Sequence, residues 1–199
     1  MKRIGGSDIA KLLNLSRYGG PLEVYQRIVE GVVEEWGAPM LRGAAMEPVL
    51  RAHGQRMLGL ELEDLPSEYI ESPEHDFAHA QIDDLARWNG APVVVEYKSQ
   101  SQFAPGWLHG EDGDEIPAGY AAQVAWQLMC TGRELAVVVV GFGQDTKEGD
   151  FTLHNITSYE VQREPMFEAY CLQVAKEFWE NHALPRVPPV PERRKRRAS

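Results

Sequence analysis

Residues 80–99 read AQIDDLARWNGAPVVVEYKS. Asn89-Gly90 is a strong signal for a two-residue hairpin turn, and the run from Pro92 to Lys98 after it has the composition of a buried strand. Side chains alternate along a strand, which puts Val93, Val95 and Tyr97 on one face and Glu96 and Lys98 on the other. A carboxylate and an ammonium two residues apart at the end of an apolar strand are costly to desolvate unless they are paired or bound to metal. A salt-bridged strand end and a metal site both satisfy that requirement. Asp83 falls at the end of the preceding extended segment, where Ala78, Ala80 and Ile82 alternate with His79 and Gln81. Neighbouring strands lie about 5 Å apart, so carboxylates at adjacent strand ends can share one divalent ion. Asp84, one residue on, should face the other way and reads as a turn residue. The plainer role for Asp83 is a cap on the turn at 85–87.

Working outward, Ser7 can cap a short helix carrying Ile9, Leu12 and Leu13, and Arg17-Tyr18-Gly19-Gly20 is a turn. Pro21 suits the first turn of a second helix, which Gly31 ends. A third helix is expected over 39–58, with Leu41, Ala45, Val49, Ala52 and Met57 towards the core and a kink at Pro48. Extended segments follow over 60–71 and 76–83, then the hairpin, and then a glycine-bearing polar loop over 99–116. A helix over 117–130, a buried strand over 135–142, an edge strand over 151–156 and a long amphipathic helix over 159–181 complete the pattern. This order predicts one α/β domain, residues 1–184, built on a central mixed sheet flanked by helices. Residues 185–199 read as a proline-rich, basic, disordered tail.

The chain has 199 residues, enough for one well-filled domain. No apolar run approaches a membrane span, and no signal-peptide core follows Met1. Cys130 and Cys171 are too few for a disulfide framework and fit a reducing cytoplasm as small buried residues. The net charge is −10, and −15 without the five cations of Arg193 to Arg197. That balance disfavours nucleic-acid binding by bulk electrostatics and leaves a local basic groove or the tail as the contact.

Two further polar residues stand out. Glu47 lies in RGAAMEPVL, where Gly43, Ala44 and Ala45 permit close approach to a sheet; on its own it reads as a solvated residue. Gln123 shares a helical stripe with Tyr120 and Gln127 on an otherwise apolar helix, and the simplest reading is a partly exposed polar stripe. The histidines show no metal-ligand spacing, and HExxH, P-loop and GxSxG motifs are absent. Gly5-Gly6-Ser7 is too short for a dinucleotide fingerprint.

Six segments occur in an order that resembles the YqaJ-like viral recombinases, the lambda-type phage exonucleases of the PD-(D/E)xK superfamily. They are IGGSDIAKLLNLSRYGGPLEVY, RGAAMEPVL, AHAQIDDLA, VVVEYKS, IPAGYAAQVAWQLMCTG and FWENHALP. The resemblance implies a restriction-endonuclease-like α/β core and a Mg²⁺-dependent 5′-to-3′ exonuclease that resects double-stranded DNA ends to 3′ overhangs. Glu47, Asp83 and Glu96 would be the acidic metal ligands, joined by the Tyr97 backbone carbonyl. Lys98 would position or help deprotonate the attacking water, and Gln123 would support the site. Ser7, Arg17 and Tyr120 match positions near the DNA. Oxygen ligands suit Mg²⁺, with Mn²⁺ as a substitute, and two ions could clamp the attacking and leaving oxygens. Asp84 departs from the family pattern, which often has glycine there, so either aspartate could face the metal. The resemblance further implies a single-strand annealing protein as partner, a ring-shaped homotrimer, and a phage or prophage gene expressed in the bacterial cytoplasm. An endonuclease of the same fold is the alternative, followed by a catalytically silent DNA-binding module.

Overall fold

The structure, a computed structural model, describes residues 1–33, 35–65, 67, 69–108, 115–146 and 150–190. Three helices come first: α1 (Gly6–Leu12), α2 (Pro21–Tyr25) and α3 (Ala38–His53). Strands β1 (Glu61–Leu62), β2 (Tyr69–Glu71), β3 (His79–Gln81), β4 (Asp84–Trp88) and β5 (Ala91–Ser101) follow. Helix α4 (Ala118–Thr131) leads to β6 (Leu135–Asp145), β7 (Phe151–Gln162) and α5 (Pro165–Phe178). The central sheet has the order β1-β4-β5-β6-β7, and β2 pairs with β3 in a separate two-stranded ribbon. Only β5 and β6 run parallel, because α4 carries the chain between them; the other pairings are antiparallel. The result is the expected α/β architecture with a mixed central sheet.

The Asn89-Gly90 turn joins β4 to β5 with positive φ at both residues, 50° and 81°, the backbone that lets a two-residue hairpin follow the strand twist. Alternation along β5 then sorts side chains between two apolar layers. Val94 packs with Ala136, Val138 and Val140 beneath α1, α4 and α5. On the opposite face Val93, Val95 and Tyr97 join Val137, Val139 and Leu50 of α3. Glu96 therefore enters the α4 layer, and Tyr97 enters the α3 layer.

Three sequence expectations change. Helix α3 turns a different face to the sheet: Leu41 is 56% exposed and Met57 71%, and Ala45, Val49 and Ala52 are exposed as well. The inward face is Arg42, Met46, Leu50 and Gly54, also spaced at helical intervals, with Arg42 bonded to Asp145 at 2.7 and 2.8 Å. Charged ends that find partners make this a buried face, which an apolar count misses. Pro48 sits inside α3 without ending it. The last helix begins at Pro165 instead of Tyr159, because β7 continues through a buried Tyr159 paired with Val138. The α1 N-cap is Gly5 and not Ser7, which lies inside the helix; Asp8 Oδ2 reaches back to accept the Gly5 N–H at 2.7 Å.

At the end of α5 the chain is tied back, with the Val187 N–H donating to the His182 carbonyl at 3.0 Å. The expected tail thus begins with bonded residues, while 191–199 lie outside the described residues. Among the described residues no helix is long and apolar enough to cross a membrane.

The reversed α3 face has a measurable consequence. Leu50→Ala should lower unfolding free energy by about 2–5 kcal/mol, whereas Leu41→Ala should change it by less than about 0.5 kcal/mol. Urea unfolding of both variants checks this, and the opposite ranking would mean that α3 packs by its other stripe.

Candidate active site

Glu96 is the centre of the site. It is 2% exposed in the middle of β5, which continues past the expected end at Lys98 to Ser101, and such a carboxylate needs several donors. Oε1 accepts Gln123 Nε2 at 2.8 Å and the Lys98 ammonium, and Oε2 accepts Gln127 Nε2 at 2.5 Å. Lys98 Nζ also reaches Gln123 Oε1 at 3.3 Å and lies 5.1 Å from the Tyr120 ring centroid. Alternation along β5 brings Lys98 to Glu96, and the three- and four-residue spacing along α4 lines up Tyr120, Gln123 and Gln127 against them. The polar stripe on α4 is therefore the inner wall of the site and not an exposed face.

The two aspartates divide between the layers. Asp83 Oδ2 accepts the Tyr97 backbone N–H at 2.8 Å, and the half-buried carboxylate borders the cleft described below. Asp84 opens β4, is 1% exposed, and accepts Arg51 at 2.7 Å and the Tyr97 hydroxyl at 2.9 Å. The expectation that Asp84 is a turn residue fails, because its carboxylate cross-links α3, β4 and β5. Tyr97 is thus held by Asp83 at its backbone and by Asp84 at its ring.

Electrostatics single out Asp83. Burial and the nearby Glu96 carboxylate push its carboxyl up to about 8, against partial relief from Lys98 and the Tyr97 N–H; Glu47 adds to the rise. Burial also raises the Asp84 carboxyl, and Tyr97 and Arg51 oppose it. For Lys98, burial favours the neutral amine, yet Glu96 and Asp83 outweigh it and raise the ammonium above its usual value. Without bound cations, Lys98 is a donor that keeps its proton.

A cleft of about 1020 Å³ opens over these groups. Glu47, Asp83, Glu96, Tyr97, Lys98 and Gln123 line one part, and Lys2, Arg3, Arg27 and His79 line another. Ser7 lies exposed on the cleft wall; Asp8, tied to Arg27 Nε at 3.0 Å, fixes the backbone beside it. Arg17 is not among the cleft residues and lies exposed with its guanidinium 4.8 Å from the Tyr18 ring centroid. Tyr120 stands behind the cleft, accepting Gln100 Nε2 at 2.6 Å. Sequence reasoning missed Gln127 as a Glu96 partner and Arg51 as the Asp84 partner. The signal for Gln127 was its place four residues after Gln123.

Among the described residues no three His, Cys, Asp or Glu side chains are already gathered closely enough to hold an ion. The donor chemistry nonetheless fits a hard dication: three carboxylates face one cleft, and repulsion from Glu96 and Glu47 adds to burial in holding a proton on Asp83. Glu47, Asp83 and Glu96 are the side chains that would hold such an ion.

The YqaJ-like viral recombinase domain model matches residues 1–134. No curated protein matches the chain. Among solved structures, the alkaline exonuclease LHK-Exo from Laribacter hongkongensis superposes with a TM-score of 0.65 at 18% identity, over 90% of this chain and 87% of that one. A phage-related exonuclease from Haemophilus somnus 129PT gives 0.60 at 12% identity, over 90% and 94%. A SOX–DNA complex gives 0.63 at 12% identity, over 94% and 66%. At these identities the likeness is one of fold.

The Asp83 carboxyl has a pH consequence in ion-free buffer. Its folded value near 8 lies above the ordinary 3.8, so between those values the folded protein keeps a proton that the unfolded chain has released. Stability should therefore fall as pH rises from about 4 to 8. Thermal melts of the parent and of Asp83→Asn across this range should show a flatter profile for the variant and a higher Tm at pH 8. Parallel profiles would mean that Asp83 is ionised throughout.

Proposed function

The chain belongs to the YqaJ-like viral recombinase family, and from that footing we propose that it is a metal-dependent 5′-to-3′ exonuclease acting on double-stranded DNA ends. The observation that carries the reading is the buried Glu96–Lys98 pair bordering the same cleft as Asp83 and Glu47. Glu47, Asp83 and Glu96 would bind Mg²⁺, with Mn²⁺ as a substitute and two ions as the full complement. Bound there, the metal supplies Lewis acidity to the phosphoryl oxygens and makes water more acidic.

The chain's own residues supply the rest. Gln123, bonded to both Glu96 and Lys98, fixes the angle between carboxylate and ammonium. Lys98, protonated in the ion-free protein, is placed to donate to the attacking water or to a phosphate oxygen. A neighbouring dication would lower its pKa and bring it towards service as a base. Lys2, with Arg3 and Arg27, whose charges are partly offset by Glu71 and Asp8, supplies the local cations on the wall against which an acidic protein can hold a DNA strand. Burial and the neighbouring Arg27 keep His79 towards its neutral form. Ser7 on that wall suits a phosphate contact. The family further supports a ring-shaped homotrimer, a phage annealing protein as partner, and action in the cytoplasm of the bacterial host.

With Mg²⁺ present, linear duplex DNA should be degraded and closed circles spared. Circles cut at comparable rates would replace the exonuclease reading with an endonuclease of the same fold. Lys98→Ala should lower kcat by roughly 10²–10⁴-fold, and Glu96→Ala by at least about as much. Full activity in either folded variant would show that the site lies elsewhere. Removing residues 191–199 tests the tail. Each lost phosphate contact should reduce the slope of log Kd against log salt by about 0.9, and an unchanged slope would exclude the tail from DNA binding.

A further inference from the structure

Gln127 is the most deeply enclosed polar side chain of the site, with 0% of its surface exposed. Its single amide nitrogen makes two bonds. Nε2 donates to Glu96 Oε2 at 2.5 Å and to the Gln81 backbone carbonyl at 3.1 Å. Gln81 ends β3, two residues before Asp83. The amide therefore spans from the strand that carries Glu96 to the segment that carries Asp83.

The other half of the amide indicates what this arrangement serves. Gln127 Oε1 is buried and has no hydrogen-bond partner. Rotating the amide by half a turn would point Oε1 at two acceptors, the Glu96 carboxylate and the Gln81 carbonyl. The orientation is dictated by those acceptors, and a buried carbonyl goes unsatisfied as a result. Packing alone would be better served by an apolar side chain of the same shape.

We propose that Gln127 is a positioning residue that fixes the Glu96 carboxylate relative to the Asp83 segment and so sets the affinity of this carboxylate pair for a divalent ion. This rests on the metal-dependent reading above and adds to it the residue that holds the ligands apart. Glu96 Oε1 is already shared between Lys98 and Gln123, so Oε2 is the oxygen whose direction Gln127 governs. Without that donor, Glu96 is free to rotate towards Lys98, away from Asp83. Outer groups that orient metal-binding carboxylates commonly change ion affinity by about 10–100-fold.

The test is calorimetric titration of the full chain with Mn²⁺, without DNA, on the parent, Gln127→Met, Gln127→Asn and Leu128→Ala. Methionine keeps the shape and removes both donated bonds. Asparagine keeps the amide but is one methylene too short to span both acceptors. Leu128 is a buried neighbour on α4 among the apolar core residues, so its truncation reports general destabilisation of the helix. Both Gln127 variants should bind Mn²⁺ roughly 10–100-fold more weakly than the parent. The Leu128→Ala protein should have a lower Tm and parent-like Mn²⁺ affinity. Parent-like affinity in a folded Gln127 variant overturns the proposal, and either variant suffices if the other does not fold. Equal weakening by Leu128→Ala also overturns it, because Gln127 would then act only through helix stability. A parent that binds no Mn²⁺ at millimolar concentration would overturn the metal-dependent reading itself, a result distinct from the other two.

Discussion

A carboxylate that is 2% exposed dictates how this molecule is put together. An ionised Glu96 inside an apolar layer is tolerable only with every lone pair directed at a donor. Lys98 comes from its own strand, and two glutamines come from the helix above. Helix α4 must therefore lie across β5 in one rotation, with Gln123 and Gln127 pointing down. The parallel pairing of β5 with β6 follows from that helix crossing over the sheet. The candidate site and the fold draw on the same bonds here, so a change in the polar stripe of α4 alters both.

The opposite face of β5 is secured by a second buried acid. Asp84 holds Arg51 of α3 and the Tyr97 hydroxyl, and Asp83 holds the Tyr97 backbone. Consecutive aspartates thus grip one tyrosine from two directions, and strand alternation sends their carboxylates into different layers. One layer contains the candidate chemistry and the other anchors α3, which carries Glu47. Removing Asp84 would loosen the helix that presents Glu47 and free the hydroxyl of Tyr97, another cleft residue.

The sequence made the core of this arrangement readable where local rules act alone. Asn89-Gly90 specified the hairpin, and alternation placed Glu96 and Lys98 together with Tyr97 opposite. The central mixed sheet with flanking helices followed from the element order. What escaped notice depended on partners distant in sequence. The inward face of α3 carries Arg42, and Arg51 reaches in from its exposed flank; both look fully solvated until Asp145 and Asp84 are seen across from them. The apolar stripe Leu41, Ala45, Val49 and Ala52 is just as periodic and faces solvent. Periodicity counts apolar side chains and cannot register a charge that is neutralised 103 residues away. Asp84 looks like a turn residue for the same reason, and the helical spacing that puts Gln127 on the stripe of Gln123 does not say that the stripe faces Glu96.

The parallel crossover also orders the assembly of the molecule in time. The β4–β5 hairpin closes through a two-residue loop, so its pairing is local and forms early. The donors for Glu96 other than Lys98 arrive 27 and 31 residues later in the chain, on a helix that must dock before they can bond. Until then the carboxylate is better off in water, and the middle of β5 is held open by its solvation. Closure of the α4 layer and completion of the candidate site are then one event. In native-state hydrogen exchange, the amides of α4 and those around Glu96 in β5 should open together as a single cooperative unit, separate from the hairpin turn.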